Sequence, residues 1–150
     1  MRRLALLLVL VAAGCGGAKQ AAEPKIALLT DVRVSGTSVD FAFRSPPQTV
    51  RAVYRPRSAL AECGSGRRVA VAGKAYLVVH FTPAATADIR GDEVIPTYTG
   101  PTRVEGTGPV LEAVKVCDFE AEVAWAIGLE RRSPFHVGRD GAAVSLRIPT

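Results

Sequence analysis

Asp118 and Glu120 are the closest approach to an acid/base pair in this sequence. Side chains two apart on an extended segment point to the same side, and paired carboxyl groups can cleave a glycosidic bond. They flank Phe119 in a turn-like stretch, where a solvated surface turn is the simpler use, and no catalytic residue is assigned. Neither Gly-x-Ser-x-Gly nor His-Glu-x-x-His occurs, and Gly64-Ser65-Gly66 beside Cys63 has the composition of a turn. His80 stands between Val79 and Phe81, and His136 between Phe135 and Val137. Both are strand positions opposite apolar neighbours, where a solvated or cross-strand-paired imidazole is expected rather than a metal ligand. Asp88, Asp92 and Glu93 gather around Gly91, but three carboxylates fall short of the oxygen set that a hard cation such as calcium takes. No metal and no other cofactor is expected. Recognition is the chemistry that remains. Tyr98, Thr99 and Arg103, among glycines and prolines, offer a stacking ring, a hydroxyl and a carboxylate fork that suit a glycan or peptide. The competing use of Tyr98 is to cap the core with its ring and hydrogen-bond through its hydroxyl. Trp125 alternates with Val123 and Ile127 and is expected in the core.

Three cysteines carry the remaining chemistry. Cys15 follows the basic pair Arg2-Arg3, an unbroken apolar run from Leu4 to Ala13, and Gly14. That run is too short to span a bilayer core of about 30 Å as a helix, and the pattern is that of a secretory signal. Ala12-Ala13-Gly14-Cys15 resembles a lipobox, in which the peptide is cut before a cysteine whose sulfur receives diacylglycerol; Ala12 stands where leucine is commoner. The expected organisation is a signal peptide over 1–14, a lipidated cysteine and flexible tether over 15–25, and one domain over 26–150. At about 0.8 kcal/mol per buried methylene, two or three acyl chains anchor durably, here to the outer face of the cytoplasmic membrane. Export leads to an oxidising compartment, where Cys63 and Cys117 form an even pair expected to bond, with buried free thiols as the alternative. Of the formal charge of +5, Arg2 and Arg3 carry two, and the other basic residues are scattered, which argues against nucleic acid as a partner. Abundant Ala, Val and Gly, an excess of Arg over Lys and the absence of Asn suggest a high-GC genome.

The elements that must position these side chains read as β-strands. Short apolar alternations are broken by Gly or Pro about every ten residues, the texture of an all-β sandwich or barrel. Ile26–Val34 and Val39–Phe43, joined through Ser35-Gly36, predict a hairpin that Pro46-Pro47 ends. Thr49–Arg55, Ala75–Phe81, Val110–Val116, Ala121–Leu129, Pro134–Val137 and Ala143–Ile148 supply further strands. Residues 82–109, rich in proline and glycine with little periodicity, predict a long loop of functional interest. The stretch from Val110 to Gly128 also fits helical spacing, and its dense β-branched residues favour strands.

Thr97-Tyr98-Thr99-Gly100-Pro101, Asp118-Phe119-Glu120, Val123 through Leu129 and Pro134-Phe135, with Leu28–Val34, Pro56-Arg57 and Leu146-Arg147-Ile148, resemble the AMIN-like domain of actinobacterial lipoproteins over residues 26–149. The resemblance implies a single β-sandwich similar to the AMIN domain of cell-wall amidases and secretins. It further implies a non-catalytic module that binds peptidoglycan or another envelope component. It carries over no site residue, and Cys63, Cys117 and the acidic turn near Asp92 lie outside the usual pattern. The alternatives are a cell-wall hydrolase or its accessory using Asp118 and Glu120, and a scaffold for another protein.

Overall fold

Val39, Phe41 and Phe43 alternate with half-buried Ser38, Asp40 and Ala42, so one face of this strand is apolar and must meet another apolar surface. In a computed structural model, which describes residues 25–149, that surface is a second sheet. The first sheet is built from β1 (Ala27–Ser35), β2 (Ser38–Phe43), β5 (Ala84–Ala85), β11 (His136–Asp140) and β12 (Ala143–Arg147), in the order β11-β12-β2-β1-β5. The second is built from β3 (Thr49–Arg55), β4 (Ala75–Thr82), β8 (Arg103–Glu105), β9 (Val110–Phe119) and β10 (Glu122–Leu129), in the order β3-β4-β10-β9-β8. Neighbouring strands are antiparallel except β1 and β5. The chain is an all-β sandwich, as the alternation predicts.

Between the sheets lie Leu29, Val39, Phe41, Leu77, Val79, Phe81, Trp125, Ile127 and Leu146, all buried. Phe81 packs its ring at 4.8 Å from Phe41 and 4.9 Å from Phe43, and Trp125 meets Tyr98 edge-on at 5.7 Å. Tilted and edge-on contacts of this kind add to the area term by matching ring edges to ring faces. The chain passes from the first sheet to the second through Arg44–Gln48, where Pro46 and Pro47 offer no ladder donor. It returns to the first sheet at the cis Thr82–Pro83 bond, crosses back to the second between β5 and β8, and returns once more at residues 130–135.

Two expectations are corrected. Residues 82–109 are not a long loop: they hold β5, β8 and a separate ribbon of β6 (Ala87–Arg90) and β7 (Glu93–Pro96), turned at Gly91 with φ +62°. Pro96 ends β7 while Pro83, Pro101 and Pro109 lie in the short connections between strands, and strands of two to four residues carry too little alternation to be read. The strand expected over Pro134–Val137 runs instead from His136 to Asp140, because the hydroxyl of Tyr54 grips both backbone groups of Ser133 and holds this stretch as part of the crossover.

Central strands of the second sheet are buried on both faces. A strap, residues 56–74, leaves β3 through a single 3₁₀ turn at Arg57–Ala59 and runs over the outer face before entering β4. Leu60 and Val71 of the strap pack there against Tyr76, Val78, Val114, Val116, Ala124 and Ala126.

Candidate functional site

Small residues on the outward face of β10 make room for the strap. Ala124, Ala126 and Gly128 alternate with the core residues Val123, Trp125, Ile127 and Leu129, and a Cβ on Gly128 would stand 2.0 Å from the carbonyl oxygen of Ala72. Two polar fixtures then pin the strap. Buried Glu112 accepts the backbone N–H of Ala72 at 2.5 Å and pairs with Arg103, whose second guanidinium nitrogen donates to the carbonyl of Ala70 at 2.8 Å. Cys63 is bonded to Cys117 of β9 with their Cα atoms 5.1 Å apart. The pairing expected of the two cysteines is present.

Beside the disulfide the strap leaves a cleft of about 320 Å³, lined by Arg55, Leu60, His80, Glu122 and the two cysteines among others. His80 Nδ1 lies 2.6 Å from Glu122 Oε1, so the imidazole is paired across strands. The cleft thus has an apolar floor and a polar rim, and its imidazole and carboxylate satisfy one another.

The residues expected to bind a ligand are not brought together on one face. Tyr98 is 8% exposed; its ring is part of the inter-sheet core and its hydroxyl donates to the carbonyl of Pro101 at 2.7 Å. Burial, and after it the negative charge of Asp31, raises the phenol above its usual pKa. Arg103 pairs with Val114 in the register of β8 and β9, on the strap side of the sheet, while Tyr98 is on the core side. Tyr98 thus serves as a core cap and Arg103 as a strap clamp. Thr99 is exposed.

Asp118 and Glu120 also part company. Asp118 accepts from the backbone N–H and hydroxyl of Thr86 and from Lys115 Nζ at 3.1 Å, which binds the entry to β6 onto β9. Glu120 occupies the β9–β10 turn at φ +49°. Asp88 lies 3.5 Å from Arg44 and 3.0 Å from Arg90, whereas Asp92 and Glu93 sit exposed at the tip of the ribbon. His136 is exposed at the start of edge strand β11. No group of three or more His, Cys, Asp or Glu with metal-site geometry occurs among the described residues.

One constellation escaped sequence reasoning. Where β3 ends, β4 begins and the crossover after β10 passes, Arg57 lies 4.9 Å over the ring of Tyr76 and Arg132 lies 4.2 Å over the ring of Tyr54. Both line an open cleft of about 670 Å³ that also takes in Arg55 and Lys74. Tyr54 is held in turn by Ser133 and by Phe135, which meets it edge-on at 5.8 Å. The aromatic residues come from positions 54, 76 and 135, and nothing in local spacing links them.

Compared with known proteins, residues 27–142 match a family model described as the AMIN-like domain. No curated protein and no solved structure matches the chain.

Proposed function

Because the chain belongs to the AMIN-like domain family, we propose that it is a non-catalytic envelope-binding lipoprotein, held by lipid on Cys15 to the outer face of the cytoplasmic membrane and presenting its sandwich to peptidoglycan or an envelope protein. The family match over residues 27–142 is the observation that carries this reading. Side-chain geometry supports it. Glu112, Asp118, His80 and Glu122 spend their polar atoms on pinning the strap, fastening β6 to β9 and pairing across strands. Positions 1–24, with the signal and Cys15, lie outside the described residues, so the anchor stands on the lipobox-like segment alone. Replacing Cys15 with Ala should move the protein from the membrane fraction into the soluble envelope fraction or the medium; acylated, membrane-bound Cys15→Ala protein would refute the anchor.

For the binding role, purified sacculi should retain the full chain on sedimentation without any release of soluble muropeptides. Muropeptide release that disappears in Asp118→Asn or Glu120→Gln would establish the hydrolase instead. A second reading, a scaffold for another protein, draws on β11: all five of its residues are exposed, and it leaves an unpaired ladder edge to which a partner strand could add.

A further inference from the structure

The domain has two chemically unlike ends. At one end the chain enters β1 at Ala27, whose N–H is bonded to the carbonyl of Pro83, close to the β9–β10 turn, where Ala84 N–H meets the carbonyl of Ala121. The acidic tip residues Asp92 and Glu93 and the turn residue Glu120 belong to elements that spring from this end. At the far end of the strands lie the last residues of β3, the first of β4 and the crossover after β10. The eight residues of β4 separate the two ends by roughly 25 Å at ~3.3 Å per residue.

Cations outnumber anions at that far end, where Glu130 is the acid that lines a neighbouring cleft with Lys74 and Arg131. Arg55, Arg57, Lys74, Arg131 and Arg132 make no ion pair among the described residues, although the chain's other basic groups include several that do. Two of these guanidinium groups already have an aromatic partner. Arg57 and Arg132 rest over the rings of Tyr76 and Tyr54, which limits the freedom these side chains have to lose when their N–H groups bind an oxyanion. Arg57 spends one N–H on the carbonyl of Gly73 at 2.9 Å and keeps the others. The ring faces are covered by the guanidinium groups, so this is not a platform for stacking sugars. It is a row of forks with an ammonium beside it in an open cleft, and such a row fits repeated anionic groups along a chain better than one small ion enclosed in a pocket.

We propose that this cleft binds a wall polymer carrying repeated phosphodiester groups. The proposal rests on the envelope-binding reading and names its ligand. Polymer is favoured over bilayer because the cationic end lies at the opposite end of the strands from Ala27, where the chain enters the domain.

The test is retention of the detergent-purified full chain on two preparations of one wall, intact and stripped of phosphodiester-linked polymer by cold hydrofluoric acid. Retention on intact wall that falls at least tenfold on stripped wall, and falls with rising salt, supports the proposal. Equal retention on both overturns it while leaving envelope binding standing, and retention on neither overturns both. In a direct titration with synthetic poly(glycerol phosphate), Arg57→Gln and Arg132→Gln should each weaken binding about tenfold, as expected for losing a charge-assisted contact. Arg90→Gln, on the ribbon at the other end, should change nothing. Unaltered affinity in an Arg57→Gln/Arg132→Gln/Lys74→Gln variant with the parent's melting temperature would overturn the site. Tighter binding to phosphatidylglycerol vesicles than to the polymer would also overturn it, making this end a membrane face.

Discussion

Tyr98 shows how one side chain can be read two ways from its neighbours and one way from its surroundings. Glycine and proline on both sides suggest an exposed recognition loop, yet the ring is turned inward against Trp125 and the hydroxyl is spent on Pro101. Tyr98→Phe should cost about 1 kcal/mol at neutral pH, the net worth of one such bond. The raised phenol adds a pH signature. The folded state holds this proton more tightly than the unfolded chain does, so the stability involved is whole below pH ~10 and is lost as pH rises through the folded value. Thermal melts at a series of pH values should therefore show the gap between parent and Tyr98→Phe closing above about pH 10; a gap that stays constant would contradict the raised phenol. Arg103 carries the complementary lesson. Its charge suggested a ligand fork, and what it holds is the buried carboxylate of Glu112 and a carbonyl of the strap, partners that come from 9 and 33 positions away.

Strand β10 explains what the sequence could and could not disclose about its elements. Val123, Trp125, Ile127 and Leu129 alternate as a sandwich face should, and all four are buried between the sheets. The ambiguity with a helix arose from the other face, where Ala124, Ala126 and Gly128 are small, and apolar or neutral, because a strap covers them. A strand buried on both sides loses its polar alternation, and no local pattern announces the cover. Hairpins such as β1–β2 were legible because one face stays partly wet and a glycine marks the turn. The Arg–Tyr cleft was not legible because its residues converge only after three elements have folded. The tightness of the strap gives a prediction at this scale. Gly128→Ala should destabilise the domain by about 3 kcal/mol, since the Ala72 carbonyl 2.0 Å from the new Cβ belongs to backbone that must shift. Chemical denaturation would measure the loss, and an unchanged midpoint would mean that the strap does not lie where it is described.

Across the whole molecule, the disulfide is the longest-range covalent constraint among the described residues. It joins positions 54 apart in sequence and closes the strap onto β9. In the chain-entropy account a loop of that length is worth about 4 kcal/mol, drawn from the freedom of the unfolded chain. Cys63→Ser/Cys117→Ser should lower unfolding stability by roughly that amount, and reduction of the parent should produce the same shift; a double variant as stable as the oxidised parent would refute the contribution. The two ends of the sandwich also set how it would carry load. If the chain is held at Ala27 of the first sheet and a polymer is held near Arg132, after the second sheet's β10, tension runs along the strands and loads both the core between the sheets and ladders whose hydrogen bonds lie at right angles to the pull. Bonds pulled in that direction slide together instead of opening one after another. A fold loaded in shear is a mechanical link, suited to standing between a membrane and a wall that move against each other.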